Sequence, residues 1–465
     1  MSYRSVKALL LACSGAGALL TATADANAGG FAVREQSAFG QGASFAGVAA
    51  GGSLSSLFWN PATMTQVPGL QSETVVSGII PYSAHSVGAG STLTVFGLDG
   101  AGDSALDALL PASYYSWQVN PQLWLGLSIN SPFGLAVNFP DAWAGRNYSG
   151  ATKLTTYNGT PSVAYQINNW ISVGAGVQIQ YAKVDFSSGL PVNGLGQVNS
   201  GLQLLALGHQ ASLSGDGWGY GFTAGVTLTP TPTTTIGLGY RSAIDQKIDG
   251  TLTLPNGPAF TPAFGSTPGD ISTTVDLPDV VSLGLRQRLT PQWMLMATAE
   301  WTNWSRIGTA TVQQSNGAPA TILAGHNGGP VTLPFQYRDG WFFSLGAEYQ
   351  WNSQLALRGG IGFERTPISD QVRTPRLPDN DRTWLSIGAT YQLTPKMSFD
   401  FAYSHLFVKS TPIDISLASG NPWFNGVTYI GSVDSHVDII SVAMKYRWDE
   451  PAAPAPVKQG YFKAK

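Results

Sequence analysis

The chain has 465 residues, of which 11% are charged and 11% aromatic, and its net charge of −3 argues against a nucleic-acid partner. Beyond the N-terminal region it has no run of about 18 or more apolar residues, which excludes transmembrane helices from the prediction. A mean hydropathy near zero with so few charges favours a β-barrel in which only alternate residues face lipid.

The N-terminal residues 1–28 have the pattern of a secretory signal peptide. Positive residues precede a mostly apolar segment over 8–20, and Ala26-Asn27-Ala28 forms a small-x-small cleavage site. Cleavage there would make Gly29 the first residue of the mature chain. The alternative is lipoprotein processing at Cys13, which would leave only about five apolar residues before the cut. Because the chain has one cysteine, the mature chain is expected to lack disulfides, thiol catalysis and cysteine metal sites.

Residues 29–70 differ from the rest of the chain. They are rich in Gly, Ala and Ser, with irregularly spaced aromatic residues and no hairpin repeat. We predict that they form an N-terminal hatch (plug) in the lumen of a barrel.

Tight turns and long loops then alternate along the chain. Asn120-Pro121-Gln122 and Thr394-Pro395-Lys396 are two of the tight turns, and runs of alternating apolar and small or polar residues flank each one. Short turns on one side and long loops on the other are typical of outer-membrane barrels. We predict an all-β fold, an antiparallel transmembrane β-barrel of about fourteen strands over 71–448. The expected strands lie near 73–86, 110–119, 123–139, 151–167, 171–187, 209–229, 234–254, 270–290, 293–312, 333–351, 355–369, 379–394, 397–415 and 434–448.

A period of two assigns the residues of each strand to lipid or to lumen. Val177 and Ile179, for example, alternate with Gln178 and Gln180. Most charges of the later strands fall on the lumen side, as expected when a basic residue facing lipid costs about 2–4 kcal/mol. The simpler interpretation of these charges is a paired network that fills the barrel and touches no ligand.

Residues 449–465 follow the last strand as a Pro-rich C-terminal tail, with prolines at 451, 454 and 456. We predict a flexible periplasmic extension. Its residues point to no particular role.

The residues indicate no catalytic or metal centre. The five histidines lack the short spacing of metal ligands, and no glycine-rich loop ends in Lys-Ser/Thr. In Ser404-His405 and Ser435-His436 the paired side chains fall on opposite faces of a strand. We therefore expect a protein that is not an enzyme and holds no cofactor or metal.

Several local motifs occur in a characteristic order: Asn60-Pro61-Ala62, Trp218-Gly219-Tyr220-Gly221, Tyr240-Arg241-Ser242 and Pro378-Asp379-Asn380-Asp381-Arg382. With these motifs the chain resembles the FadL family of bacterial outer-membrane long-chain fatty acid transporters from Gly30 to Trp448. The resemblance implies a monomeric fourteen-stranded barrel, occluded by a hatch and surrounded by outer-membrane lipid and lipopolysaccharide. It also implies affinity-driven passive diffusion of a hydrophobic substrate, without an energy-coupling partner.

The third strand contains a candidate lateral exit at Ser131, Pro132, Phe133 and Gly134. Proline cannot donate to a strand ladder and an interior glycine weakens pairing, so a kink is expected. In the family an inward kink at this place opens the wall to let substrate leave sideways. The alternative is an ordinary bulge that adjusts the curvature of the barrel.

Two long loops contain apolar residues at positions expected to face the outside. An exposed apolar patch usually marks a binding site, so we predict a groove where ligand first binds. The alternative is a loop that packs only on its own neighbours. The groove residues are Leu202, Leu204, Leu205, Leu207, Phe260 and Phe264.

The resemblance also implies a lumen pocket that contains Phe31 and two basic residues near the ligand head group, Lys183 and Arg338. A carboxylate in an apolar barrel needs a charge-assisted partner. Arg338 has the parity of the lumen face. Lys183 has the parity of the lipid face, so a bulge or twist would have to turn it inward. The alternative is that both bases pair with acidic residues.

The leading functional prediction is uptake of hydrophobic molecules, with long-chain fatty acids first because basic lumen residues favour a carboxylate. An aromatic-hydrocarbon channel of the same family is the alternative. A general porin or a structural surface barrel represents a different class, and an apolar hatch argues against the porin.

Overall fold

The computed structural model describes residues 29–189, 193–194, 197–198, 210–253, 269–314, 316–320 and 330–449. The predicted signal peptide, almost all of the predicted tail and the six predicted groove residues lie outside the described residues. The groove residues are Leu202, Leu204, Leu205, Leu207, Phe260 and Phe264. No helix in the described part of the chain is long and apolar enough to cross a membrane.

Fourteen antiparallel strands of the described residues form one barrel. The barrel is closed because the first strand pairs with the last from Gln71 opposite Arg447 to Val87 opposite Gly431. This confirms the predicted fold class. In chain order the strands are β1 (Leu70–Val87), β2 (Ala108–Asn120), β3 (Leu123–Asn130 and Gly134–Val137), β4 (Thr152–Gln166), β5 (Ile171–Gly189), β6 (Gln210–Thr231), β7 (Thr234–Arg241 and Ile244–Thr253), β8 (Gly269–Leu277 and Val280–Arg288), β9 (Trp293–Thr302), β10 (Gly340–Gln350), β11 (Leu355–Arg365), β12 (Arg382–Thr394), β13 (Met397–Val408 and Thr411–Ile415) and β14 (Tyr429–Arg447).

The long loops carry short elements of their own. These are the strands Gly102–Asp103, Asn193–Gly194, Gln197–Val198, Thr309–Thr311, Gln313–Gln314 and Thr332–Pro334 and the 3₁₀ segments Thr92–Phe96 and Trp304–Ile307.

The strands bury alternate residues, as their sequence pattern predicts. In β5 the outward-facing Val177 and Ile179 are exposed, whereas Gln178 and Gln180 are buried in the lumen. The outer face of the strand is apolar because it contacts lipid, and the inner face is more polar because it contacts the protein in the lumen. The period of two therefore sets which side chains are available to a ligand in the lumen.

Residues 29–69 lie inside the barrel as a hatch of short segments: α1 (Ala38–Gln41) and 3₁₀ turns at Val48–Ala50, Leu54–Phe58 and Pro61–Gln66. The hatch backbone lies directly against lumen-facing glycines of the wall. A Cβ on Gly237 would come within 1.8 Å of the Ala49 carbonyl oxygen, and one on Gly360 within 2.2 Å of that of Ala43. These strand glycines provide the space that the hatch occupies.

The hatch motif 60–62 fastens the hatch to the wall. The Asn60 side chain caps the last 3₁₀ turn by accepting from Ala62 N at 3.0 Å, and Pro61 takes the first position of that turn. The same side chain donates to the carbonyl oxygens of Ala49 at 2.7 Å and of Val226 in β6 at 3.0 Å. The motif is thus a structural crosslink.

Replacing Asn60 by alanine is expected to lower the free energy of unfolding by about 2–4 kcal/mol, because one cap and two buried carbonyl partners are lost together. Unfolding in detergent, followed by tryptophan fluorescence, measures this loss. The matched control is Asn316→Ala, since the exposed Asn316 makes a single cap-like bond to Ala318 N. Equal losses in the two variants would contradict the crosslink.

Charged side chains in the lumen form a paired network around the ring of Phe39 in the hatch. Asp400, which is fully buried, lies 3.2 Å from Arg358 and 2.7 Å from Lys445. The cationic ends of Arg358 and Lys445 lie 4.0 and 4.8 Å from the ring of Phe39. For these residues the predicted paired network is confirmed, and it makes them structural.

Candidate functional site

The β3 kink, residues 131–134, interrupts the barrel wall. The ladder between β2 and β3 ends with Ser113 opposite Ile129. Beyond it, β3 resumes at Gly134 and pairs with β4, from Gly134 opposite Thr155, but no longer with β2. On that side Val137 makes an isolated bridge to Ala105. All of the residues from 131 to 137 are buried, so this part of β3 has moved inward from the lipid face. The result is a hydrogen-bonding edge of β3 that has lost β2 as its neighbour.

The hatch covers this edge with its own backbone. Val33 N donates to the Pro132 carbonyl oxygen at 2.8 Å, and Gly134 N donates to that of Phe31 at 3.0 Å. Ala32 stands opposite Phe133 in this short antiparallel ladder. The N-terminal segment 31–33 thus replaces β2 beside the kink and satisfies groups that would be costly to leave unpaired.

Two polar side chains that the sequence did not single out support this arrangement. Thr156 of β4 brackets Phe133, accepting from its N–H at 3.0 Å and donating to its carbonyl oxygen at 2.6 Å. Gln36 donates to the carbonyl oxygens of Ser131 at 2.8 Å and of Val33 at 3.1 Å. Both side chains hold the kink and the segment in register.

An apolar cavity of ≈ 80 Å³ lies between the N-terminal segment and the walls of β3 to β8. Phe31 and Phe133 line one side, and β5 contributes Ala182 and Val184 from its lumen face. Further lining residues are Leu135, Leu213, Ile248, Leu277, Leu333, Phe335, Tyr337, Leu377, Trp423 and Arg376. Phe31, which the family resemblance assigned to a lumen pocket, lines this cavity.

A second space, the outer cleft, lies above the cavity at the long-loop end of the barrel. It has a volume of ≈ 230 Å³ and includes Tyr148 and Phe424 in its lining. The cleft and the cavity share Phe186, Leu213, Leu333, Phe335, Arg376 and Trp423. The two spaces are therefore adjacent and share part of their lining.

A cluster of aromatic rings separates the cavity from a third space, the inner chamber, of ≈ 70 Å³. Phe31 contacts Trp304 edge-on, with ring centroids 4.8 Å apart, and lies 5.9 Å from Phe133. Pro132 and Phe133 of the kink line the inner chamber. Phe133 therefore borders both spaces, and the packed rings of Phe31 and Trp304 lie between them.

The structure corrects the positions of both predicted basic residues. Lys183 is exposed on the outer face of β5, while its neighbours Ala182 and Val184 face the cavity. The bulge that would turn it inward is absent, because β5 pairs continuously with β6 through Lys183 opposite Asp216.

Arg338 does not line the cavity either. It precedes β10, is exposed, and donates from Nε to the carbonyl oxygen of Thr366 at 3.4 Å. Residues 335–339 belong to no strand, so strand parity does not apply to Arg338. Its neighbours Phe335 and Tyr337 line the cavity, whereas Arg338 does not.

The basic residue at the cavity is Arg376, in the loop between β11 and β12. Its guanidinium donates to Thr152 Oγ1 and to the carbonyl oxygens of Tyr148 at 3.2 Å and Ser187 at 3.0 Å. It also lies 5.0 Å from the ring of Phe186. Burial lowers the pKa of Arg376 to about 10, so it is still protonated at neutral pH. Among the described residues no carboxylate pairs with it.

Comparisons with known proteins agree with this geometry. The family model described as "Outer membrane protein transport protein (OMPP1/FadL/TodX)" matches residues 19–448. Outer membrane protein P1 of Haemophilus influenzae is 28% identical over 424 residues, which are 84% of this chain and 88% of that protein. The long-chain fatty acid transport protein of Escherichia coli K12 is 27% identical over 358 residues, 71% of this chain and 78% of that protein.

Solved structures share the fold. A FadL homologue of Pseudomonas aeruginosa superimposes with a TM-score of 0.78 at 25% identity, covering 90% of this chain and 100% of that one. The Pseudomonas putida toluene transporter TodX has the same fold, with a TM-score of 0.61 at 17% identity over 86% of this chain and 95% of that one. The chain therefore belongs to the OMPP1/FadL/TodX family, whose members are outer-membrane proteins that transport hydrophobic compounds.

Proposed function

We propose that this protein takes up hydrophobic carboxylates, with long-chain fatty acids as the main class, through the outer cleft, the cavity and the β3 kink. One observation is the main support for a carboxylate as substrate. Arg376 places a protonated guanidinium, with no carboxylate partner among the described residues, between the outer cleft and an apolar cavity. A carboxylate leaving water needs such a charge-assisted partner, while its alkyl chain gains from apolar walls.

The names of the relatives support the same class. The E. coli protein at 27% identity is named a long-chain fatty acid transport protein, whereas the toluene transporter shares 17% of its residues with this chain. Passive uptake by a monomer needs no further component, because affinity for the cavity can draw ligand out of the outer cleft.

The size of the cavity suggests how uptake couples to exit. Ligand pockets usually measure about 300–1,000 Å³, and this cavity measures ≈ 80 Å³. A long-chain ligand must therefore displace part of the lining. Phe31 belongs to the segment that pairs with the kink, so its displacement uncovers the edge of β3 and opens a sideways path into the membrane.

A second candidate substrate is a neutral aromatic hydrocarbon. Six aromatic residues line the cavity: Phe31, Phe133, Phe186, Phe335, Tyr337 and Trp423. Ring–ring contacts would stabilise such a ligand without a charged partner. The two candidates differ in their need for Arg376.

Replacing Arg376 by glutamine is expected to weaken binding of a long-chain fatty acid by about 10–100-fold, because a hydrogen bond to a charged group is worth about 1.5–3 kcal/mol. Glutamine retains donors for the neighbouring carbonyl oxygens but removes the charge. Toluene binding should be unchanged. Equilibrium binding of both radiolabelled ligands to purified protein in detergent measures the two affinities.

The matched controls are Arg338→Gln and Lys183→Gln, which remove exposed charges that do not line the cavity. We expect both controls to bind fatty acid as the unaltered protein does. Fatty acid affinity that is unchanged in Arg376→Gln, or equally reduced in all three variants, would refute the role of Arg376.

A further inference from the structure

The backbone of Gly29 and Gly30 lies between acidic side chains of the wall. Gly29 N is 3.2 Å from Glu364 Oε1, and Gly30 N donates to Asp379 Oδ2 at 3.1 Å. Both glycines are buried and have no room for a side chain. A Cβ on Gly29 would lie 2.6 Å from Glu364 Oε1, and one on Gly30, at a φ of +66°, 2.8 Å from the Trp304 ring.

The surrounding cluster pairs carboxylates with guanidinium groups. Arg34 lies 2.6 Å from Glu300 and 3.4 Å from Glu364, while Arg382 pairs with Asp379 and lies 3.9 Å from Glu364. Three carboxylates thus form ion pairs with two guanidinium groups, and each of the five side chains is at most 10% exposed. A third guanidinium, that of Arg241, interacts electrostatically with Glu300. Glu364 faces Gly29 N directly, and a cation at that nitrogen would be favourable because a buried charge without close compensation is costly.

A fourth acidic side chain adjoins the cluster. Glu35 is 1% exposed, and neither of its carboxylate oxygens has a hydrogen-bond partner. Burial raises the pKa of Glu35 to about 7, and the side chain interacts electrostatically with Glu364, Arg34 and Arg382. Acidic side chains therefore surround the place where the hatch begins.

The predicted cleavage after Ala28 would supply such a cation. A signal peptidase would hydrolyse the peptide bond between Ala28 and Gly29, adding the hydroxyl of water to the Ala28 carbonyl and a proton to the Gly29 nitrogen. A free α-amine has an ordinary pKa of about 7.7–8.0 and is mostly protonated at neutral pH. An uncharged amide would thereby become an ammonium group next to Glu364.

We propose that removal of the signal peptide fastens the N-terminal segment 31–33 to the β3 kink. The newly formed α-ammonium of Gly29 binds Glu364, with Asp379 beside it, and we call this contact the latch. Gly29 precedes the paired segment 31–33 by two residues, so the latch holds the end of that ladder. The precursor has a neutral amide at this position and lacks the latch.

The first step of the test is N-terminal sequencing of protein purified from outer membranes. The first residue should be Gly29. A Ser-Asn-Gln insertion between Ala28 and Gly29, which adds no small-x-small site directly before Gly29, then moves the new ammonium three residues away. We expect the insertion to lower the melting temperature in detergent by at least about 2 °C. In a Glu364→Gln background the same insertion should cost less than half as much. A different N-terminus, or equal losses in both backgrounds, would overturn the proposal.

Glu364→Gln changes a buried side chain and can itself impair folding, so a second measurement uses the unaltered chain. The protein is treated with an amine-acylating reagent at pH 7 and digested with trypsin, and mass spectrometry follows the peptide 29–34. The α-amine of folded protein should react at least tenfold more slowly than that of protein unfolded in dodecyl sulfate. The Ser-Asn-Gln protein should lose this protection. Equal rates for folded and unfolded unaltered protein would refute the latch. Neither measurement uses a substrate, so neither depends on the proposed transport function.

Discussion

A disulfide between positions 32 and 133 is expected to abolish fatty acid uptake. Ala32 and Phe133 face each other in the ladder between the N-terminal segment and the β3 kink, with hydrogen bonds on either side and none between them. Such a pair has Cα atoms about 4.5 Å apart, within the range that a disulfide spans. Covalent closure fixes the segment on the kink, and ligand in the cavity then has no sideways path.

The experiment combines Ala32→Cys with Phe133→Cys in a mature chain that is otherwise predicted to lack cysteine. Uptake of radiolabelled fatty acid by cells should fall at least tenfold under oxidising conditions and return with a membrane-permeant reductant. Each single variant controls for the loss of its side chain. Undiminished uptake by fully oxidised protein would show that the segment does not gate the path.

A phenylalanine at position 182 is expected to abolish ligand binding. Ala182 is 1% exposed and lines the cavity from the lumen face of β5. A phenyl ring there takes up most of a space of ≈ 80 Å³, so the cavity cannot admit an alkyl chain. Overpacking costs typically about 1–3 kcal/mol, which a barrel of this size should tolerate.

The adjacent residue supplies the matched control. Lys183→Phe places the same ring one residue further along β5 but on the outer face, where apolar side chains contact lipid. Binding of radiolabelled fatty acid should be at least tenfold weaker in Ala182→Phe and unchanged in Lys183→Phe. Comparable binding by the two variants would mean that ligand occupies another part of the protein.

The backbone pairing at the kink explains why exit of a ligand through the wall should depend on ligand binding in the cavity. An unpaired backbone group in hydrocarbon costs several kcal/mol, and the segment 31–33 satisfies two such groups of the β3 edge. Spontaneous withdrawal of the segment is therefore unfavourable. A ligand that displaces Phe31 would recover this cost through its own burial, so we expect the wall to open mainly when the cavity is filled.

The barrel could be predicted from the sequence because two media sort its residues. Lipid and lumen impose a period of two on every strand, and Pro132 and Gly134 mark the kink by removing a donor and weakening a strand. The cover of the kink could not be predicted. Segment 31–33 pairs with residues about 100 positions away through backbone groups, which leave no pattern in the side chains.

The basic residue next to the ligand was also predicted wrongly from the sequence. Strand parity assigned Arg338 to the lumen, yet Arg338 lies before β10 in residues that belong to no strand and does not line the cavity. Arg376 lies in a loop without periodicity, and only the packing of that loop against Tyr148 and Ser187 brings it to the cavity. Loop packing depends on distant contacts, which no local pattern encodes.

We propose that the cavity selects hydrophobic carboxylates. The most direct test of this selectivity is equilibrium binding of a radiolabelled long-chain fatty acid to the purified protein in detergent, with toluene as competitor. We predict saturable binding that excess toluene does not displace. Saturable toluene binding without fatty acid binding would contradict the claim and assign the cavity to neutral hydrocarbons.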